Sequence, residues 1–182
     1  NNLDEWKRSH GNHSSNRFSN LSKINLTNVK NLDLAWKYKF DEINRDIQAN
    51  PVIAEGKIFL PTTGNKIISI NAVNGKKIWE YKIEATPARR GLVFWSEGDK
   101  SRIYFCAEKK LISLNAKNGQ LVKSFGKNGI VKLRKRCKIS PVIIDNLLAI
   151  ATVEPALEVY NLNSGKLLWK YYLKKNLEKK DM

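Results

Sequence analysis

The chain has 182 residues, 42% of them hydrophobic and 9% aromatic, which suffices for one domain with a sizeable core, and no apolar run is long enough to span a bilayer. Its 33 basic and 17 acidic residues give a formal charge of +16, which would suit nucleic acid or an anionic surface. The lysines are spread along the whole chain, however, and no nucleic-acid module's fingerprint accompanies them, so nucleic acid is not an expected partner. Two local basic clusters, 132–138 and 174–180, read as a solvated loop and a solvated tail.

Residues 1–20 are polar, with Trp6, His10, His13 and Phe18 set among serines and asparagines. The histidine spacing would suit a metal, but no cysteine or carboxylate stands with the pair at zinc-site spacing. In the next stretch Thr27 or Asn28 is placed to begin a helical turn. It leads to Ala35-Trp36-Lys37-Tyr38-Lys39-Phe40, a strand with no hairpin partner before it. The expected division is a polar segment with a short helical turn over 1–34, then a β-domain over 35–182.

That domain is built on a repeat. An apolar strand, Lys66-Ile67-Ile68-Ser69-Ile70, runs into Asn74-Gly75, a dipeptide suited to a tight hairpin turn, and returns as Ile78-Trp79-Glu80-Tyr81. Leu114-Asn115-Ala116-Lys117-Asn118-Gly119 and Tyr160-Asn161-Leu162-Asn163-Ser164-Gly165 echo it, at intervals of about 45 residues. Trp36 and Trp79 lie one such interval apart, and Trp169 two intervals further on. In a returning strand side chains alternate, so a tryptophan there can plug the gap between neighbouring repeats.

Short-strand repeats of this length are propeller blades. The expected fold is therefore all-β, a β-propeller with about three four-stranded blades plus a leading strand, the blade repeats lying near 51–83, 102–129 and 141–173. Three blades do not close a ring of four to eight. Both ends of such a stack expose apolar faces that need further blades or an oligomer partner. The absence of a Met at position 1 fits either a processed end or a fragment. Cys106 and Cys137 are too few for a disulfide framework, and sequence leaves open whether they approach each other.

Trp6, then Arg17-Phe18-Ser19-Asn20-Leu21-Ser22-Lys23-Ile24-Asn25, Asn28-Val29, Leu32 and Ala35-Trp36-Lys37-Tyr38 resemble the opening of the PQQ-dependent (quinoprotein) alcohol and glucose dehydrogenases. Three later segments resemble that family in the same order: Pro51-Val52-Ile53 through to Trp79, Arg90-Gly91-Leu92-Val93-Phe94-Trp95, and Leu114 to Gly119 running on to Phe125-Gly126-Lys127-Asn128-Gly129. The resemblance implies an eight-bladed propeller of PQQ-like repeats, with the quinone and a calcium ion near its axis. It also implies a periplasmic enzyme that oxidises an alcohol, sugar or polyol.

Site residues are carried over one at a time. Arg90 stands where the family has an arginine on a quinone carboxylate, a task that suits a guanidinium fork. Gln48 stands where a glutamate near the quinone is common; it keeps hydrogen bonding and loses the charge. Glu154 is the counterpart of a calcium-ligating glutamate. Ala85-Thr86-Pro87-Ala88-Arg89 replaces the region of an adjacent cysteine pair, and Lys138 falls near a quinone-holding threonine. The aspartate base, a second calcium ligand and the tryptophan under the quinone belong to later blades of the family. This chain alone is therefore not expected to turn over substrate.

The departures at Gln48, Lys138 and the missing cysteine pair favour a second reading. In it the chain is part of a non-catalytic propeller of the same repeats, a scaffold that binds proteins through loops or strand edges.

Overall fold

The computed structural model describes residues 5–11, 14–41 and 47–173. Among the described residues, twelve strands fall into three four-stranded antiparallel sheets, each in simple chain order. The first holds β1 (Val52–Ala54), β2 (Lys57–Pro61), β3 (Lys66–Asn71) and β4 (Lys77–Lys82); the second holds β5 (Pro87–Glu97), β6 (Lys100–Ala107), β7 (Lys110–Asn115) and β8 (Ile130–Lys132). The third holds β9 (Val142–Ile144), β10 (Leu147–Thr152), β11 (Ala156–Asn161) and β12 (Leu167–Tyr172). These are three blades, stacked face to face and unclosed. Among the described residues no helix is long and apolar enough to cross a membrane.

The middle blade runs from Pro87 to Lys132, beyond the repeat unit at both ends. The return after Gly119 does not continue as a strand there. Leu121 makes only an isolated bridge to Leu114, and the outer strand is formed by Ile130–Lys132 after a detour through buried Phe125. The Asn-Gly connections also differ from two-residue turns. In the first, the Asn71 carboxamide oxygen accepts from the Val73 and Asn74 amides, and the Gly75 amide donates to the Asn71 carbonyl. With the asparagine caps in place, only the glycine takes a positive φ, +69°. A bulge between Ser69 and Ile70 absorbs the extra length.

Two cores hold the stack. Phe59, Ile67 and Trp79 of the first blade meet Leu92, Phe94, Ile103, Phe105 and Ile112 of the second. Tyr104, Cys106 and Leu111 of the second meet Leu148, Ile150 and Tyr160 of the third. Tryptophans bridge successive units in one repeated way. The Trp36 indole N–H donates to the Ala72 carbonyl at 3.1 Å with its ring on Gly75, and Trp79 donates to Ala116 at 3.0 Å with its ring on Gly119. At Gly165 the neighbours are instead Val131 and Phe125. Trp36, Tyr38 and Phe40, although outside any ladder, pack on the first blade as a leading segment.

The outer faces are bare. Trp79 is 8% exposed, whereas Trp169, next in the series, is 47% exposed among Leu167, Tyr171 and Leu173. Leu21, Ile24, Leu26 and Leu34 are likewise exposed beside the leading segment. The predicted helical turn appears as a single 3-10 turn at Val29–Asn31, capped by Asn28 without a side-chain bond. Trp6 pairs with Ile53 on the innermost strand of the first blade, and the Phe94 amide donates to the Lys7 carbonyl. The amino-terminal segment thereby ties two blades together along their inner edges.

Cys106 and Cys137 form a disulfide with Cα atoms 5.7 Å apart, joining β6 to the segment that enters the third blade. In that blade Glu158 is 3% exposed, accepts from the Tyr160 hydroxyl at 2.5 Å and pairs with Lys170 at 3.0 Å. Burial, and then the bond to this carboxylate, push the Tyr160 phenol far above its ordinary 10.0. The hydrogen bond to Glu158 is the main cause that raises Lys170. Both groups hold their protons more tightly folded than unfolded, so their stabilisation is complete below about pH 10 and is lost above it. The thermal midpoint is expected to fall as pH rises through 10 to 11, and Tyr160→Phe to flatten part of that fall. Parallel pH profiles for parent and variant would contradict this.

Candidate functional site

In every blade the turn between the second and third strands lies at one end of the stack, and the connections that carry Gly75, Gly119 and Gly165 lie at the other. The first end is braced in the same way three times. The amide that follows each outer strand donates back to that turn: Ile83 to Asn65, Leu133 to Lys109 and Leu173 to Pro155, at 2.7–2.8 Å. The segments that enter each inner strand start here as well, so Gln48, Arg90 and Glu154 all belong to this end.

An open cleft of about 980 Å³ is cut into it between the first two blades. Its walls are Ile47, Gln48, Ala49, Pro61, Thr62, Thr63, Thr86, Pro87, Ala88 and Arg89. The Thr62–Lys66 turn is closed by the Thr62 amide on the Lys66 carbonyl, with the Gly64 amide on the Thr62 hydroxyl. The Glu108 amide on the Thr86 carbonyl fixes the opposite wall. Among these lining residues Arg89 is the one charged group. The Gln48 carboxamide, three threonines and the Arg89 guanidinium make this a polar cleft, and an anionic group of a ligand there would pair with Arg89.

The sequence-predicted residues are only partly brought together. Gln48 lines the cleft. Arg90 is exposed and is not among the lining residues; its neighbour Arg89 is, because β5 bulges out of register between Pro87 and Leu92 and carries both arginines. Glu154 sits in the β10–β11 turn of the third blade, where the Thr152 hydroxyl donates to its carbonyl at 2.6 Å. Its Oε2 is buried with no hydrogen-bond partner, a condition shared only by the hydroxyls of Ser69 and Ser113 among the described residues. An unpaired carboxylate oxygen is a costly thing to bury and a natural ligand for a hard cation. Among the described residues no group of three or more His, Cys, Asp or Glu could hold a metal, so Glu154 is at most one ligand of a site completed elsewhere.

His10 meets the Arg17 guanidinium at 3.2 Å, and His13 lies outside the described residues, as does the 174–180 cluster. Thr62, Thr63, Thr86 and Arg89 were not singled out by sequence. Thr62 and Thr63 belong to no motif; the signals for Thr86 and Arg89 were the place of 85–89 where the family has its cysteine pair and Arg89's adjacency to Arg90.

A sequence model described as "Glucose/ethanol/alcohol dehydrogenase, beta-propeller domain" of PQQ type matches residues 6–143. The quinohemoprotein alcohol dehydrogenase ADH IIB of Pseudomonas putida is 30% identical over 92% of this chain and 26% of its own length. The solved structure of ADHIIG from Pseudomonas putida HK5 superimposes with a TM-score of 0.78 at 21% identity, over 93% of this chain and 27% of that one. A europium-containing methanol dehydrogenase gives 0.72 at 18%, over 92% and 32%. The chain thus spans about a quarter of the length of the relative it matches.

Proposed function

The chain belongs to the PQQ glucose/ethanol/alcohol dehydrogenase β-propeller family, and on that footing we propose that it supplies the opening blades of an enzyme that oxidises an alcohol, sugar or polyol. The observation that carries this reading beyond membership is the anion-compatible cleft at the end of the stack to which Glu154 brings an unpaired carboxylate oxygen. When bound, PQQ would take two electrons from the substrate carbinol carbon beside a hard cation acting as Lewis acid, calcium or a lanthanide.

The chain's own residues bind and orient. Gln48 would donate its side-chain amide to a quinone oxygen, the threonine hydroxyls would meet others, and an arginine of the β5 bulge, Arg90 or Arg89, would pair with a carboxylate. Glu154 would give one anionic oxygen to the cation. A general base would come from later blades, where the resemblance places the family's aspartate. Those blades would also cover Trp169. Export to the periplasm agrees with the Cys106–Cys137 disulfide, since such bonds persist in oxidising compartments.

The test uses the longest reading frame that contains these blades. It is titrated with PQQ, with and without Ca²⁺, while quinone absorbance is followed, and then assayed for dye reduction with primary alcohols, aldoses and polyols. Saturable binding with dye reduction is expected. An intact propeller that binds no quinone would sink the enzyme and leave a protein-binding scaffold on the same blades.

A further inference from the structure

Cys106 and Cys137 are 0% and 1% exposed, so their disulfide is shielded from solvent, and the proposed chemistry makes no use of it. Its place in the fold gives it a task. The cleft lies between the first two blades and Glu154 in the third, on either side of the segment that crosses from the second blade to the third. Cys137 belongs to that segment. Cys106 is on β6 beside Ala107, which pairs with Pro87 of the cleft wall.

From the wall to the carboxylate, backbone bonds form a connected path. The Glu108 amide donates to the Thr86 carbonyl at 3.2 Å, the Cys137 amide donates to the Glu108 carbonyl at 3.1 Å, and the Val153 amide donates to the carbonyl of Arg136, next to Cys137, at 2.8 Å. Cys137 also bridges to Thr152, whose hydroxyl donates to the Glu154 carbonyl at 2.6 Å. The disulfide ties the middle of this path to β6. The Arg136–Glu108 ion pair crosses the same junction at 3.7 Å, but between two well-exposed side chains, where such a pair contributes little.

A ligand that met both the cleft and a cation would need Arg89, Gln48 and Glu154 held to within about 0.5 Å. Hydrogen bonds in series open locally; a covalent bond at the middle one keeps its neighbours in register. We propose that the Cys106–Cys137 disulfide, with the Thr152 hydroxyl, is a positioning device of the site, setting the Glu154 carboxylate against the cleft wall at Thr86–Pro87. The proposal rests on the quinone reading. A staple that only stabilised the fold would raise the thermal midpoint and leave ligand affinities alone. A positioning device changes affinities in the folded protein as well.

The test uses the longest reading frame that contains these blades, as parent and as three variants: Cys106→Ala/Cys137→Ala, Thr152→Val and Gly119→Ala. The last is destabilised at the opposite end of the stack and controls for stability alone. Ca²⁺ affinity is measured by isothermal titration and PQQ affinity, without added cation, by quinone absorbance, both well below the thermal midpoint. In the double variant Ca²⁺ affinity is expected to fall about tenfold or more, with a smaller loss for PQQ. Thr152→Val keeps the disulfide and should weaken Ca²⁺ alone. Gly119→Ala should hold both affinities within about twofold of the parent. A folded double variant with a lowered midpoint and unchanged affinities would overturn the proposal, as would equal losses in Gly119→Ala. If the double variant does not fold, Thr152→Val decides, and an unchanged Ca²⁺ affinity there overturns the proposal. A parent that binds neither probe refutes the quinone reading and this proposal with it, a result distinct from a parent that binds both and variants that bind them equally well.

Discussion

Gly119→Ala is expected to destabilise the chain by about 2–5 kcal/mol, far more than the same change at Gly56. Both glycines take a left-handed conformation, at φ +72° and +67°. An alanine there costs about 1–2 kcal/mol, partly offset by the loss of unfolded-state freedom. The two positions differ in what a Cβ would meet. At Gly56 nothing lies within 4 Å; at Gly119 the Trp79 ring atoms lie 2.6 and 2.7 Å away. Trp79 cannot yield easily, because its indole N–H is held by the Ala116 carbonyl and its ring packs on Phe59, 5.9 Å between centroids. Displacing it adds an overpacking cost of about 1–3 kcal/mol and threatens the bond as well. Denaturant midpoints for the two variants measure the difference. Equal costs would show that the tryptophan-on-glycine contact does not hold the first two blades together.

That contact was legible in sequence because its two parts are large and periodic. The spacing of Trp36, Trp79 and Trp169, and of the turn glycines, survives any local irregularity, so the blade architecture could be read before a single distance was known. The middle blade shows the limit. After Gly119 the sequence still looks like a returning strand, yet Leu121 touches the ladder once and the outer strand forms nine residues later at Ile130. Burial of Phe125 decides this, and it is a tertiary event with no local signature. The turns were misjudged for a related reason: Asn-Gly suits a two-residue hairpin, but Asn71 with its side-chain oxygen stabilises a longer connection.

The site was less legible than the fold. Glu154 was found by resemblance, and nothing in the sequence announced that its Oε2 would be buried without a partner, since that depends on the packing of the whole turn. Which of two adjacent arginines reaches the cleft depends on a bulge, and a one-residue shift sends a side chain to the other face. The Cys106–Cys137 bond needed distances that sequence does not carry.

Glu154→Gln should move stability and cation response in opposite directions. The substitution keeps the shape and removes the charge. In the chain without added cation, Glu154 Oε2 is a buried acceptor with nothing to accept from, and such a group costs roughly 1–3 kcal/mol. Removing its charge is expected to leave the denaturant midpoint unchanged or raise it by up to about 1 kcal/mol. In the complete propeller a cation at 100 times its dissociation constant adds about 2.7 kcal/mol. If Glu154 is a ligand, its loss should weaken that cation about 100-fold, leaving roughly 0.4 kcal/mol at the same concentration. Thermal midpoints with and without Ca²⁺ read both effects in one experiment, before any turnover is assayed. A lowered midpoint without cation, with the Ca²⁺ response intact, would make Glu154 a structural carboxylate of the β10–β11 turn. The opposed signs are what only a ligand gives, because a residue whose role is to hold the turn cannot be removed at no cost to the fold.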